Sequence, residues 1–387
     1  MRILHTSDWH IGKRLMNRLR LDEQAEVLDE LIRICEQEEI DLVLVAGDIF
    51  DTYTPCAEAE DLFFSKVKRL AEGGRAVLII SGNHDDGVRL SAAAPLAEEL
   101  GIYIVGNARR ALPVGGKRER AYPVASGKGY AIFEDSRGER VFVSTLPYPN
   151  EARFKEEKSE LPYVEQMLKW IEEGESGNVD KLPSVFMAHI FVLGGLSSDG
   201  EREIDLGGAR AVPVDMLPKS DYIALGHLHK KQRMGKGECY YSGSPLQYAF
   251  DEKPDKSVKV FDLTKAGISG LKEVPLTSGK KLVRLEADSA ENAMQLLERY
   301  PDCLVEMKLL LSEPLTSAEA SALAAKDNLV SLVSEIQTDT EIEFASRKGM
   351  SDGELFDAYY KANYGSEPSP ELKTLFLTTL AETEEGR

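Results

Sequence analysis

The sequence predicts an α/β fold built on a parallel sheet, with a β-rich middle, a small third α/β unit and a helical tail. Three observations carry the parallel part. Short apolar runs alternate with helical segments, the runs are rich in leucine and β-branched residues, and each stops at a metal-type ligand. Leu42-Val43-Leu44-Val45-Ala46 runs into Gly47-Asp48-Ile49-Phe50-Asp51. Residues 2–6 run into Ser7-Asp8-Trp9-His10, and 76–80 into Ser81-Gly82-Asn83-His84-Asp85. Residues 184–188 run into His189, and 221–225 into Gly226-His227-Leu228-His229. Runs this short read as strands buried on both faces, and Gly47 permits a sharp turn out of the sheet. Ligands collect beyond the carboxyl ends of strands in such sheets, so the five ends predict one shared pocket.

Between the first two strands, Ala25, Leu28, Leu31, Ile32 and Cys35 recur at helical spacing and predict a helix over 22–38. A second helix over 57–71 carries Leu62, Phe63, Val67 and Leu70 toward the core. Strand, helix, strand, helix, strand implies right-handed parallel crossovers. From 102 to 148 the pattern changes to short β-rich runs split by glycine pairs, which predict hairpins in a second sheet or peripheral β region. A charged helix over 151–173 then leads back to the His189 strand. Residues 193–215 are polar and glycine-rich, a candidate functional loop. Tyr241-Ser242-Gly243-Ser244-Pro245 reads as a turn after a short strand.

The first part, which carries the clustered ligand-type residues, is expected to span 1–279. Beyond it, strands at 282–287, 303–311 and 330–336 and helices at 290–299 and 317–326 form a unit without histidine, expected to grip or cap a substrate over 280–336. A polar linker (337–349) leads to a tail (350–387). Ser351-Asp352-Gly353-Glu354 is a capping-box signal for a helix striped with Leu355, Phe356, Tyr359, Tyr360 and Tyr364. Ser369-Pro370 opens a second helix with Leu372, Leu375, Phe376 and Leu380 on one face. Two short helices beyond a linker are not expected to bury both stripes on each other alone, so they fold back or bind a partner.

At 387 residues the chain is too long for one ordinary core. Its 47 basic and 66 acidic residues give a formal charge of −19, which argues against holding nucleic acid by overall charge. Any such contact needs local patches. The candidates are Lys13, Arg14, Arg18 and Arg20 beside the first ligand turn, and Lys230, Lys231 and Arg233 after the last. Cys35, Cys56, Cys239 and Cys303 lack framework spacing and are expected to be reduced thiols. Met1-Arg2 leads straight into a strand and no apolar run approaches membrane-spanning length, so neither a signal peptide nor a membrane span is expected, and the expected compartment is the cytoplasm.

Five of the six histidines fall on the strand ends; His5, mid-strand, is expected to be structural. Imidazole, carboxylate and amide together suit manganese, iron or zinc better than magnesium or calcium. Eight such groups exceed what one octahedral ion can take with water and substrate. Two ions sharing Asp48, at the ~3.5–4 Å spacing of two-metal phosphoryl sites, is the economical arrangement. Asn83 can supply a metal contact while His84 turns toward a leaving group, an acid role typically contributing ~10²- to 10⁴-fold. Asp51 is then the expected orienting partner of that imidazole.

Asp8-x-His10, Gly47-Asp48-x-x-Asp51, Gly82-Asn83-His84-Asp85, His189 and Gly226-His227-x-His229 resemble, in full order, the calcineurin-like metallophosphoesterase signature. Residues 2–12, 46–52, 222–229 and 241–245 resemble more closely a branch of DNA-end-processing nuclease subunits, and the likeness extends over essentially the whole chain. The resemblance implies a four-layer α/β/β/α sandwich with a cap. It implies one metal on Asp8, His10, Asp48 and His229, and a second on Asp48, Asn83, His189 and His227, with His84 serving the transition state and Asp51 supporting it. It further implies manganese, 3′-to-5′ exonuclease action on duplex DNA, endonuclease action on single strands and hairpins, and a coiled-coil ATPase partner gripped by the tail. Phosphoprotein phosphatases resemble a pattern with arginine after the bridging motif and glutamate after Asn-His, where Thr52 and Asp85 stand here. A small-molecule phosphodiesterase would not need the third unit or the tail, and a non-catalytic DNA-end scaffold would not need the ligand set.

Overall fold

The computed structural model describes residues 1–108, 110–149, 161–201, 211–336, 351–364 and 367–385. The chain falls into two compact units, Met1–Glu335 and Ile336–Arg387. In chain order the first half of the larger unit contains β1 (Arg2–Thr6), β2 (Arg14–Leu15), β3 (Arg18–Leu19), α1 (Leu21–Gln37), β4 (Leu42–Ala46), α2 (Ala57–Leu70), β5 (Ala76–Ile80), α3 (Gly87–Ser91), α4 (Ala94–Glu99) and β6 (Ile102–Val105). There follow β7 (Ala121–Gly127), β8 (Tyr130–Asp135), β9 (Arg140–Leu146), α5 (Tyr163–Glu175), β10 (Ser184–His189), β11 (Tyr222–Gly226), β12 (Gln232–Arg233) and β13 (Cys239–Tyr241). Last come β14 (Ser257–Thr264), β15 (Gly267–Pro275), β16 (Lys281–Ala287), α6 (Ala290–Arg299), β17 (Cys303–Leu311), α7 (Ser317–Ala324) and β18 (Leu329–Ile336).

One sheet has the order β15-β14-β1-β4-β5-β6, the other β12-β13-β11-β10-β9-β8-β7. In the first, β1, β4, β5 and β6 are parallel. In the second, β9, β10, β11 and β13 are parallel, with antiparallel strands at both edges. Side chains alternate across a strand, so β4 feeds two cores at once. Val43 and Val45 meet Leu31, Phe63 and Val67 of α1 and α2. Leu42, Leu44 and Ala46 face the second sheet, against Phe133, Val143, Val185 and Met187. On that sheet's far side α5 lays Met167, Trp170 and Ile171 on Phe186, Ala188 and Leu225. The architecture is the expected four-layer α/β/β/α sandwich.

Register sets the site. Thr6 stands opposite Val45, Ala46 opposite Ile80, and His189 opposite Gly226, so the strand ends finish level with one another. Both sheets therefore present their ligand-bearing turns at one rim.

The three-stranded sheet β16-β17-β18 packs under α6 and α7 around Val305, Met307, Leu309 and Leu323. The helix expected over 151–173 begins at Tyr163, and the first ten positions of that span lie outside the described residues. The antiparallel pair β14–β15 extends the first sheet beside β1, and α3 and α4 are too short to announce a helical period. Asp86 caps α3 by accepting from the backbone of Val88 and Arg89 at 2.9 and 3.2 Å.

The smaller unit holds α8 (Asp352–Tyr364) and α9 (Pro370–Glu385). The capping box is present, with Ser351 and Glu354 bonded reciprocally. The helices close part of their stripes on each other and leave part open: Phe356 stacks on Phe376 with ring centroids 4.2 Å apart, and Lys373 pairs with Asp357. Tyr359 and Leu375 remain 64% and 63% exposed, because two helices can cover only the side on which they meet. Among the described residues no helix is long and apolar enough to cross a membrane.

Candidate active site

The turns after β1 and β4 are zipped together, Asp8 N–H to Gly47 carbonyl at 3.0 Å and His10 N–H to Asp48 carbonyl at 2.9 Å. To make those bonds Asp8, His10 and Asp48 adopt φ of 55°, 44° and 50°, and His227 one of 109°. Non-glycine residues persist in that region only where the surroundings over-determine them, and such positions cluster at functional sites. Gly47 (φ 88°) and Gly226 cannot be replaced: a Cβ on the first would collide with the His189 ring, and on the second with the Ala46 carbonyl. The glycines let the two sheets approach.

All eight expected ligand-type side chains meet there. Asp48 Oδ1 accepts the His84 backbone N–H at 2.8 Å, and its Oδ2 lies 3.5 Å from His10 Nε2 and 3.4 Å from His189 Nε2. Asn83 Oδ1 is 2.8 Å from His189 Nε2 and 2.9 Å from His227 Nδ1. Asp8 Oδ1 accepts the His227 backbone N–H at 2.9 Å, while Ser7 donates to Oδ2 at 2.5 Å. His10 Nε2 and His229 Nε2 face each other at 3.0 Å. His189 is oriented by its Nδ1, 2.8 Å from the Ala46 carbonyl. His5 stands apart in the sheet, its Nδ1 3.1 Å from the Tyr222 hydroxyl.

Burial dominates the electrostatics. It pushes His5 and His10 down to about 3. It lifts Asp8 to about 6 against the opposing pull of His189 and His229. Burial also opposes the charge of Asp48 and of protonated His189, yet their mutual attraction wins, holding Asp48 well below the usual carboxylate range and raising His189 to about 9.

The donor set fits divalent metal. Three groups, Asp8–His10–His229, His10–Asp48–His84 and Asp8–Asp48–His189, each bring ligand atoms within 4.8 Å of one another. Two buried imidazole nitrogens pointed at each other beside two carboxylates form a nitrogen and oxygen cluster suited to such ions.

One expectation is met through a different atom, and one needs correction. Asp51 holds His84 through its backbone carbonyl, 2.7 Å from Nδ1, whereas its carboxylate lies 3.8 Å from that ring. The carboxylate pairs instead with Lys13 at 2.9 Å and lies 3.4 Å from His10 Nδ1. Arg20 is not available to a phosphate: it is 1% exposed, pairs with Glu23 at 2.8 Å and donates to the Gln247 carbonyl. The other cations differ in kind. Arg14 and Arg18 donate to the carbonyls of Asn17 and Asp327. Lys230 pairs with Asp251, Lys231 with Asp255 and Glu273, and Arg233 with Glu238.

The sequence reading gave no role to the acids behind the cluster. Asp85 accepts three backbone N–H groups, from Ile49 at 3.1, Phe50 at 2.9 and Gly82 at 2.8 Å. Burial and the charge of Asp48 raise it to about 7. Glu252 lies 3.1 Å from His229 Nδ1, and Glu201, from the glycine-rich loop, accepts the His229 backbone N–H at 2.8 Å. Asp85 could have been found from its place beside Asn83-His84; Glu201 and Glu252 carry no local signal.

A sandwich of this kind with acids and histidines at its shared rim defines a phosphoester hydrolase, and the chain belongs to the calcineurin-like phosphoesterase family, whose pattern matches residues 1–231. Within that family it is similar to the SbcD component of the SbcCD nuclease of Bacillus subtilis (strain 168), 36% identical over 406 aligned positions that cover 100% of this chain and 99% of the relative. The SbcD of Rhodobacter capsulatus is 33% identical, covering 77% of this chain and 74% of the relative. The SbcD of Escherichia coli K12 is 27% identical, covering 82% and 79%. The chain therefore stands in the SbcD branch, and the family implies divalent metal ions at the cluster.

Proposed function

We propose that the chain is the nuclease subunit of an SbcCD-type complex, cutting DNA as a 3′-to-5′ exonuclease on duplex ends and as an endonuclease on single strands and hairpins. The observation that carries this is the meeting of eight ligand-type side chains from both sheets at one buried rim, in a chain that aligns end to end with a named nuclease component. Asp8, His10, Asp48 and His229 would hold one ion and Asp48, Asn83, His189 and His227 a second, with Mn2+ the favoured metal. Such ions, when bound, polarise the phosphoryl oxygens and activate water.

The chain's own residues do the rest. His84, held at Nδ1 by the Asp51 carbonyl, donates a proton to the leaving oxygen. Lys13, clamped to Asp51, ties the basic hairpin β2–β3 to the same turn. Arg14 and Arg18 contact DNA phosphates, with Lys230, Lys231 and Arg233 contributing only where an approaching phosphate displaces their acidic partners. Residues 280–336 cap the substrate, and the tail beyond the linker docks the SbcC ATPase through the exposed parts of its stripes, Tyr359, Leu372 and Leu375 foremost. The assembly is two SbcD and two SbcC chains, with the nuclease parts paired as a homodimer.

The test is incubation of end-labelled duplex, hairpin and single-stranded DNA with Mn2+, Mg2+ or Zn2+, with and without SbcC and ATP. Mn2+-dependent cleavage of DNA is expected. Hydrolysis of a small phosphoester without cleavage of any DNA would refute the nuclease assignment in favour of a metallophosphatase or phosphodiesterase.

A further inference from the structure

His229 is held from behind by a chain of buried acids and hydroxyls. Glu252, its side chain wholly buried, divides its two oxygens between two tasks. Oε2 takes the scaffold bonds: Lys256 Nζ at 2.5 Å, the Tyr248 backbone N–H at 3.3 Å and the Ser244 hydroxyl at 3.4 Å. Oε1 points to His229 Nδ1 at 3.1 Å, with the Ser198 hydroxyl oxygen 3.3 Å away. Ser198 in turn donates to Glu201 Oε2 at 2.6 Å, and Glu201 Oε1 takes the His229 backbone N–H. Lys256 closes the ring by donating to the His229 carbonyl at 3.1 Å.

A carboxylate that served only to anchor the 244–256 segment would direct both oxygens at Lys256 and its neighbours. Here one oxygen is reserved for the imidazole. A histidine that binds metal must offer one unprotonated nitrogen, and the hydrogen bond at the other nitrogen selects which. An acceptor at Nδ1 leaves Nε2 facing His10 and the carboxylates.

We propose that Glu252 is a positioning residue, whose Oε1 accepts the Nδ1–H of His229 and thereby sets the ring and tautomer with which His229 meets a divalent ion. This rests on the metal-binding assignment of the site made above. Glu201 and Ser198, from the glycine-rich loop, hold the backbone and the acid in place.

The test uses the full-length chain with Glu252→Leu, which removes the acceptor, Glu252→Asp, which keeps the charge but withdraws it by a methylene, and Glu252→Gln, whose one oxygen is claimed by the Lys256 ammonium and the Tyr248 N–H so that its NH2 faces His229 Nδ1. In chelator-treated protein, nitrogen-15 histidine spectra, assigned by His229→Gln, are expected to show the Nδ1 proton in wild type and to lose it in Leu, Asp and Gln. Calorimetric titration with Mn2+ is expected to show affinity weakened by ~10- to 100-fold in Leu, Asp and Gln alike. Folded Asp and Leu variants that keep both the Nδ1 proton and wild-type Mn2+ affinity overturn the proposal. If Leu does not fold, Asp carries the same comparison. If the wild type takes up no Mn2+, the metal assignment fails, while the metal-free spectra still decide whether Glu252 sets the tautomer.

Discussion

Asp85→Ala should destabilise the larger unit far more than an ordinary surface change, and the size follows from three bonds. The Asp85 carboxylate accepts the N–H groups of Ile49, Phe50 and Gly82, all buried, and so pins the turn bearing Asp48 to the turn bearing Asn83 and His84. A buried N–H left without an acceptor costs about 1–3 kcal/mol, and water entering the vacated space returns part of that. The expected loss is on the order of 3–6 kcal/mol, a large share of the ~5–15 kcal/mol by which domains are stable. Asp85→Asn keeps an oxygen for Ile49 and Gly82 but turns its amide NH2 toward the Phe50 N–H, so it should lose about 1–3 kcal/mol. Trp9 and Trp170 both lie in the larger unit, so urea unfolding followed by tryptophan fluorescence reports that unit alone. An alanine variant within about 1 kcal/mol of wild type, or one no worse than asparagine, would refute the pinning role.

Four further outcomes are expected. Asp48→Ala should abolish both metal uptake and turnover, whereas His84→Ala keeps calorimetric metal occupancy and loses ~10²- to 10⁴-fold in rate; full two-ion occupancy without Asp48 would remove it as the bridge. Chelator-treated protein should lose stability as pH rises from 6.5 to 9, because His189, raised to about 9, keeps a proton in the folded state that the unfolded chain releases at 6.5. Asp85, raised to about 7, adds to the lower end of that window, His5 and His10 act only below it, and a flat urea-stability profile would contradict the assignment. A thiol reagent should label Cys56, which is exposed, quickly in native protein and spare Cys35 and Cys239, where burial lifts the thiols to about 12; rapid labelling of either would show the core to be open. Replacing Lys13, Arg14 and Arg18 should flatten the salt dependence of DNA binding, while Arg20→Ala should lower thermal stability and leave the salt slope unchanged.

The parts legible from sequence share a property: their signal is local. A strand that ends at the shared rim writes its ligand a few positions after its last apolar residue, which is why Asp8, Asp48, Asn83, His189 and His227 could be collected by eye. Two of the acids behind them write nothing nearby: Glu252 meets His229 from 23 positions away and Glu201 from 28, and both read as ordinary charged loop residues until the fold closes, whereas Asp85 stands in the Asn83-His84 signature but shows its reach to Ile49, 36 positions away, only in the fold. Arg20 misled for the same reason, since its position in a basic run is local while the Gln247 carbonyl that buries it is 227 positions distant. The tail helices showed their stripes plainly, but a stripe states only that something covers it, and Phe356 and Phe376 cover each other.

For a chain of net charge −19, the way its cations are paired narrows where a DNA backbone can lie. Lys230, Lys231 and Arg233 each already hold a carboxylate. An exposed pair of that kind is worth only ~0–1 kcal/mol, so breaking it is cheap, but the displaced carboxylate stays beside the phosphate and repels it. Arg14 and Arg18 donate to carbonyl oxygens instead, so a phosphate taking over those donors releases no anion next to itself. The hairpin that carries them is joined at one end to the turn of the proposed leaving-group residue and at the other to the proposed cap. Lys13 pairs with Asp51, whose carbonyl holds His84, while Leu15 packs on Leu282 and Leu304 and Arg18 reaches the Asp327 carbonyl. In the proposed nuclease a phosphate bound by the hairpin therefore bears on the residue assigned to the leaving group and on the proposed cap together. That side of the rim, rather than the one lined by Lys230 to Arg233, is where charge and connectivity agree.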